Sequence, residues 1–191
     1  EILDSLRLVG ASGQLIIPED FRGAQPLRIT MDRLVLQKAP RVDDAAEPAS
    51  SDPRNLPNIE AHVADVRLES RAFGNVDLKV SRVAQGARID SLTIVGEASR
   101  AELQGEWLLT AEGPKSALDG KVTSTDVAAT LRALNYTQFM DAKRAEIRAN
   151  LSWPGGLDEN FLSHASGTLT VAADAGQLLN LQPGAGRVLG L

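Results

Sequence analysis

Cysteine is absent from this sequence, and aromatic residues make up only 4% of its 191 residues. Without cysteine the chain has no disulfide, no thiolate nucleophile and no cysteine-based zinc site. The redox compartment stays open, because such a chain can work in an oxidising or a reducing one. Long apolar runs are also missing: Leu15-Ile16-Ile17 is far shorter than the roughly 20 residues of a membrane-spanning helix. The chain is therefore predicted to contain no transmembrane helix.

Positive charge is scarce as well. Twenty Lys and Arg residues stand against 25 Asp and Glu residues, which gives a net charge of -5 and a pI near 5.1. No cluster of basic residues is present, so we expect no nucleic-acid partner. The content of 43% hydrophobic and 24% charged residues is ordinary for a folded chain with a core.

Most segments alternate apolar and polar residues with a period of two, which is typical of strands with one apolar face. About ten strands are predicted, over residues 6–9, 14–17, 27–36, 59–69, 76–80, 87–95, 101–109, 118–123, 146–153 and 168–173. Turn-forming residues at 10–13, 85–86, 112–114 and 119–120 favour antiparallel meander connections. Within 59–69 the apolar phase slips after Val63, which predicts a β-bulge.

Two segments depart from this strand pattern. Residues 40–58 are rich in proline and acidic side chains and poor in large aliphatic ones, so we predict a mobile surface loop. Residues 126–134 predict one short helix, with Asp126 as its cap and Val127, Leu131 and Leu134 on one face. One helix cannot cover a sheet of this size.

The remaining question is what covers the apolar face of the sheet. A closed β-sandwich or barrel would bury it within the chain, whereas an open sheet would leave it for something else. Trp107 and Trp153 fit both arrangements, as core residues or as rings at the rim of a groove. The residues alone leave these alternatives open.

No constellation of an active site is visible. His62 and His164 lie far apart in the sequence, and neither has a second ligand at metal-binding spacing. Ser163, His164 and Ser166 offer a nucleophile and a base, but no nucleophile elbow or oxyanion hole accompanies them. We therefore expect a protein that is not an enzyme and holds no metal and no cofactor.

Several segments from residue 52 onwards carry a family resemblance. They are Asp52-Pro53-Arg54-Asn55-Leu56-Pro57, Ala72-Phe73-Gly74-Asn75-Val76-Asp77-Leu78, Gly105-Glu106-Trp107, Leu151-Ser152-Trp153-Pro154-Gly155-Gly156, Gly167-Thr168-Leu169-Thr170-Val171 and Gln182-Pro183-Gly184-Ala185-Gly186-Arg187. In this order they resemble the C-terminal region of YhdP-type proteins, members of the AsmA-like superfamily that also contains TamB. The resemblance covers roughly two thirds of the chain.

The resemblance implies an open, curved β-sheet that forms part of a long periplasmic groove for phospholipid. The chain would be a single fragment, residues 1–191, of a longer parent that is anchored in the inner membrane and supports outer-membrane integrity. Its partners would be phospholipid acyl chains and, through the parent, the inner and outer membranes. The alternative is a closed β-sandwich that acts as a structural or interaction module of the envelope without lipid.

Under the groove interpretation, eleven aliphatic residues are predicted to line the lipid-holding face. They are Val76, Leu78, Val80, Leu92, Ile94, Leu103, Leu109, Ile147, Leu151, Leu169 and Val171.

Overall fold

The structure is a computed structural model that describes residues 6–38, 52–137, 140–156, 161–174 and 177–178. Its long strands are β1 (Leu6–Ile16), β2 (Leu27–Lys38), β3 (Ile59–Leu68), β4 (Arg71–Val83), β5 (Gly86–Val95), β6 (Ser99–Thr110), β7 (Gly113–Ser124), β9 (Arg144–Pro154) and β10 (Ser166–Asp174). The short elements are a 3-10 helix (Pro53–Asn55), α1 (Val127–Ala133), β8 (Met140–Asp141), α2 (Phe161–His164) and β11 (Gln177–Leu178).

The nine long strands form one sheet in the order β1-β2-β3-β4-β5-β6-β7-β9-β10. The prediction of a mainly β, mostly antiparallel open sheet with a short helix is confirmed. Within the described residues the other pairing is the two-residue ribbon of β8 and β11, so the closed sandwich is not the observed architecture. The concave curvature that we expect on the apolar side stays a prediction.

One pair of strands differs from the predicted meander. β2 and β3 run parallel, with Leu27 opposite Ile59 and Leu36 opposite Leu68. Parallel neighbours need a crossover of about a dozen residues or more, because the chain must return to the starting end of the sheet. Residues 39–58 provide that crossover, whereas a hairpin turn would have made the pair antiparallel.

Two segments that the sequence predicts as turns lie inside strands, so these two predictions are wrong. Residues 10–13 lie within β1, where the register with β2 shifts between Leu8 and Gly10 and again between Ser12 and Gly13. Residues 119–120 lie in the middle of β7, where a side chain on Gly120 would collide with the Leu103 side chain. Glycine in these places permits a bulge and a close side-chain contact, and not a reversal of the chain.

The predicted bulge after Val63 is present. The register of β3 with β4 shifts between Val63 and Val66 and again between Val66 and Arg67. Such an irregularity moves the following side chains by one residue, so both Val63 and Val66 can face the apolar side of the sheet. The slip in the sequence pattern therefore had a structural cause.

The C-terminal part of the predicted mobile loop is held in place. Pro53 is fully buried, and the Asp52 side chain caps the 3-10 helix by accepting from the backbone N–H of Arg54 at 2.9 Å. The Asn58 side chain accepts from the backbone N–H of Arg82 at 2.8 Å. Residues 39–51 lie outside the described residues, so the mobility of that part of the loop stays a prediction.

The helix α1 matches the predicted helix over 126–134. Its N-cap is Asp126, whose carboxylate accepts from the backbone N–H of Ala129 at 2.9 Å, and its C-cap is Leu134. Val127 is the buried residue of the helix. No helix among the described residues is long and apolar enough to cross a membrane.

Candidate functional site

The most extensive feature of the sheet is its apolar face, which we define by three rows of side chains that cross the strands. The pairing registers place one residue of each strand opposite one residue of the next, and side chains alternate between the two faces along each strand. Following those partners from strand to strand gives three neighbouring rows on one face. Each row runs perpendicular to the strands.

The members of the rows are fixed by the pairing registers. Row one contains Leu27, Ile59, Val80, Ile89, Gly105, Leu118, Leu151 and Gly167. Row two contains Leu15, Ile29, Ala61, Leu78, Leu92, Leu103, Gly120, Ala149 and Leu169. Row three contains Gly13, Met31, Val63, Val76, Ile94, Ala101, Val122, Ile147 and Val171. No charged or hydrogen-bonding side chain interrupts these rows.

Burial of the apolar face is incomplete. Val63 and Val80 are buried, whereas most members of the rows are only half-buried. Exposure rises towards the last strands: Ile147 is 37% exposed, and Leu169 and Val171 are 61% and 59% exposed. A sheet face sealed by a second layer would hold most of its aliphatic residues fully buried. This face therefore leaves aliphatic surface available for a ligand.

The registers place all of the predicted lining residues except Leu109 in the three rows. Row two holds Leu78, Leu92, Leu103 and Leu169. The others are in row one (Val80, Leu151) and in row three (Val76, Ile94, Ile147, Val171). Leu109 lies beyond the rows, opposite Pro114 near the turn between β6 and β7. Their contact with lipid stays a prediction.

Sequence reasoning missed the residues that β2, β3 and β7 add to the face. They are Leu27, Ile29, Met31, Ile59, Ala61, Val63, Leu118 and Val122. The alternation in these strands was visible in the sequence. The same period-two signal could therefore have identified them.

Aromatic side chains close one end of the apolar face, next to row one. Trp153 is 3% exposed, and its ring lies 4.8 Å from that of Phe161, centroid to centroid. Its indole N–H donates to the carbonyl oxygen of Gly156 at 2.8 Å, and Gly156 packs against the Trp107 ring. The buried Ser116 hydroxyl donates to the carbonyl oxygen of Gly155 at 2.7 Å. The Trp-Pro-Gly-Gly segment thus folds back between the two indoles and forms an aromatic rim.

The helix α1 lies at the opposite end, next to row three. Thr130 of α1 hydrogen-bonds to the Ser124 hydroxyl at 2.8 Å and donates to the carbonyl oxygen of Ala98. Beyond the helix, the Asn135 side chain donates to the Ser70 hydroxyl at 2.8 Å. α1 therefore joins the end of β7 to the turns that precede β4 and β6. Together, α1 and the aromatic rim bound the three rows at both strand ends.

Ion pairs cover the opposite, polar face. Arg28 pairs with Glu60 at 3.2 Å, and Glu146 accepts from Lys121 at 2.9 Å and from Arg148 at 2.8 Å. The hydrogen bond from Lys121, with the nearby charge of Arg148, lowers the pKa of Glu146. Exposed pairs of this kind contribute little to stability, because water and salt screen their charges. They mark this face as the one that water solvates.

Two further carboxyl groups have lowered pKa values. The hydrogen bond from Ser81 lowers the pKa of Asp90, and Arg88 at 2.7 Å acts in the same direction. Hydrogen bonds from Arg54 lower the pKa of Asp52 to about 2. Both groups favour the folded state at neutral pH, and that contribution disappears as the pH falls through the lowered pKa values.

Two open depressions, of about 610 and 450 Å³, also lie on the polar face. The larger is lined by hydroxyl, amide and charged groups, including Glu102, Gln104, Lys121, Arg148 and Asn150. Such a lining keeps its water, because an acyl chain there would desolvate polar groups without replacing their hydrogen bonds. The larger depression is therefore a poor site for hydrocarbon, and the candidate site is the apolar face.

The residues considered for catalysis or metal binding include His62, His164 and Ser166. His164 is exposed on α2, and the Ser166 hydroxyl donates to the carbonyl oxygen of Ser152 at 3.3 Å. His62 lies on the polar face with its Nδ1 2.6 Å from the Asp77 carboxylate, a cross-strand pair that the sequence did not reveal. Among the described residues, no group of three His, Cys, Asp or Glu side chains could hold a metal ion.

The model of the YhdP protein family matches residues 5–191. No curated protein and no solved structure matches the chain. The Pro-Gly-Ala-Gly-Arg segment of the resemblance lies within the matched range but outside the described residues. Since the match spans nearly the whole sequence, the chain belongs to the YhdP family, a family associated with lipid transport in the cell envelope.

Proposed function

We propose that this chain is a non-enzymatic segment of a bridge-like periplasmic protein that moves phospholipid between the inner and outer membranes of a diderm bacterium. Its apolar face would form several rungs of a hydrophobic groove. The observation that carries the proposal is the set of three rows on a partly exposed face that contain aliphatic residues, methionine and glycine and no polar side chain. Membership of the YhdP family supports the same conclusion.

The dimensions of the rows suit acyl chains. Neighbouring strands are about 4.8 Å apart and alternate residues about 6.8 Å apart, so nine strands and three rows span roughly 38 by 14 Å. A bilayer core is about 30 Å thick, so one acyl chain extends over about 15 Å. Acyl chains lying along the rows would therefore contact three or four strands and could pass from strand to strand without meeting a polar side chain.

Binding on such a face depends on area and not on directed bonds. Each Å² of aliphatic surface removed from water contributes about 25 cal/mol, and neighbouring positions along a row offer nearly equal contact. We therefore expect weak discrimination among acyl chains and low barriers to sliding. The polar headgroup would stay at the rim or in water, because its desolvation on the rows would have no compensating partner.

The proposal also includes a cellular setting. We propose a periplasmic location within a longer parent that is anchored in the inner membrane and reaches the outer membrane. The association of the YhdP family with the envelope supports this placement.

Site-specific photo-crosslinking in the longer protein within intact cells tests the proposal. A benzophenone amino acid replaces Ile147, a 37% exposed member of row three, and in a matched control it replaces the adjacent Arg148 on the polar face. We expect lipid adducts at position 147 and at least about tenfold fewer at 148, because adjacent strand residues point to opposite faces.

The alternative interpretation, an interaction module without lipid, makes a different prediction for the same samples. Crosslinks at position 147 would then join the chain to another protein. Equal lipid yields at the two positions would also contradict the proposal, since lipid would not distinguish the faces.

A further inference from the structure

An arginine stands on the apolar side of the sheet, just beyond row one. Arg82 follows Val80 by two residues in β4 and lies opposite Ala87 of β5, so its side chain leaves the sheet on the same side as Val80. The residue is half-buried. Because alternate strand residues are about 6.8 Å apart, Arg82 places a positive charge at the edge of the aliphatic surface.

Arg82 has no carboxylate partner among the residues that the structure describes. Its guanidinium group donates one long hydrogen bond, from Nη1 to the carbonyl oxygen of Arg22 at 3.4 Å. On the polar face, by contrast, Arg28, Arg88 and Arg148 pair with carboxylates at distances between 2.7 and 3.2 Å. A guanidinium group has five N–H donors, so most donors of Arg82 are free to bind an acceptor.

The loop between β1 and β2 is fastened beside Arg82. The Asn58 side chain accepts from the backbone N–H of Arg82 at 2.8 Å and donates to the carbonyl oxygen of Gly23 at 3.2 Å. Within the loop, the Asp20 carboxylate accepts from the backbone N–H of Arg22 at 2.8 Å and forms no ion pair with Arg82. The Arg22 side chain is exposed. This part of the rim therefore offers hydrogen-bond donors and positive charge next to row one.

We propose, on the basis of the function proposed above, that Arg82 binds the phosphate group of a phospholipid whose acyl chains lie on the rows. A guanidinium group donates charge-assisted hydrogen bonds to phosphate oxygens in a geometry that suits both partners. The glycerol backbone separates the phosphate from the acyl chains by only a few bonds, so one lipid can contact Arg82 and the rows together. A sliding lipid is therefore held longest at β4, where charge adds to the contact area.

Titration calorimetry with two lipids that share dioctanoyl chains tests this site. Dioctanoyl phosphatidylglycerol carries the phosphate, and dioctanoylglycerol lacks it. We expect this chain to bind the phospholipid about three- to tenfold more tightly, since water screens part of the charge. Arg82→Gln and Arg82→Met, two neutral variants, should both lose that preference and keep the parent affinity for dioctanoylglycerol. The matched control is Arg132→Gln, which removes an exposed charge from α1 at the opposite strand end and should change neither affinity.

Two results would overturn the phosphate site and leave the proposed function intact. One is equal affinity of the parent chain for the two lipids, which needs no variant. The other is a preference for phosphatidylglycerol that persists in either Arg82 variant, once circular dichroism shows that the variant is folded.

Glycerol phosphate, as a third ligand, distinguishes a lipid site from a site for free anions. We expect it to bind far more weakly than the phospholipid, because it has no acyl chains to lie on the rows. Equal binding of glycerol phosphate and the phospholipid would contradict a site shared with the rows. If neither lipid binds, the proposed function and the phosphate site are both wrong.

Discussion

Replacing Leu92 with aspartate should leave the protein folded and reduce its bound lipid at least about tenfold. Leu92 is a half-buried member of row two, between Leu78 and Leu103. Water can reach a carboxylate at such a position, so the charge does not force unfolding. For lipid binding, the loss of the leucine contact costs about 1.5–3 kcal/mol of binding free energy, and the charge adds to that cost. A cost of about 1.4 kcal/mol already lowers the affinity for lipid tenfold.

The matched control for this variant is Ser91→Asp. Ser91 is the preceding residue, is exposed on the polar face and lies opposite Lys79, so the added charge is accommodated there. We expect this control to bind as much lipid as the parent chain. Unfolding of Leu92→Asp would mean that the apolar face is a sealed core, and equal lipid binding by the two variants would remove row two from the binding surface.

Replacing Trp153 with alanine should have the largest effect on stability, a loss of about 3–5 kcal/mol of unfolding free energy. The side chain is 3% exposed, contacts Phe161 and donates its indole N–H to Gly156. The free energy of unfolding of a typical domain is only about 5–15 kcal/mol, so the variant should unfold at a much lower denaturant concentration. Urea denaturation followed by circular dichroism measures the change.

Two controls separate the contributions of Trp153. Trp153→Phe keeps a ring against Phe161 and loses the hydrogen bond. It should lower the free energy of unfolding by about 0.5–1.5 kcal/mol, with a further small loss from the reduced packing. Leu162→Ala, at a neighbouring residue that is 67% exposed, should change stability by less than about 0.5 kcal/mol. A small effect of Trp153→Ala would show that the aromatic rim does not stabilise the sheet.

These two expectations follow from where burial is concentrated. Of the buried apolar residues, Ala87 and Trp153 lie at the aromatic rim, Val127 and Ala142 lie at α1 and next to β8, and Val63 and Val80 lie in the rows. The other members of the rows are half-buried or exposed. The ends of the strands would therefore carry much of the stability, which leaves the rows free to serve binding.

Period-two alternation predicted part of the apolar face, but the prediction left out the residues that β2, β3 and β7 add to it. Val76 and Leu78 alternate with polar residues in β4, and the same alternation in β5 brings Ile94 and Leu92 opposite them. The register adds only the order of the rows. Because side-chain direction in a strand depends on the strand's own residues, this property is local and can be read from the sequence.

Pairing partners that depend on long connections could not be predicted in the same way. Whether β3 runs parallel or antiparallel to β2 depends on the path of residues 39–58, and no local residue type specifies that path. Ion pairs such as Arg28 with Glu60 and His62 with Asp77 depend on the same register.

Glycine was ambiguous for a related reason. It permits a turn, a bulge or a close packing contact, and the choice at Gly13 and Gly120 is made by the neighbouring strand.

The central claim is that the apolar face holds lipid, and mass spectrometry of lipid that co-purifies with the folded chain tests it most directly. The chain would be isolated from a diderm host under non-denaturing conditions without detergent, then extracted, alongside Leu92→Asp and Ser91→Asp. If the apolar face holds lipid, diacyl phospholipids of mixed chain length accompany the parent chain and Ser91→Asp, and at least about tenfold less accompanies Leu92→Asp. A folded parent chain that carries no more phospholipid than Leu92→Asp would show that the apolar face does not hold lipid.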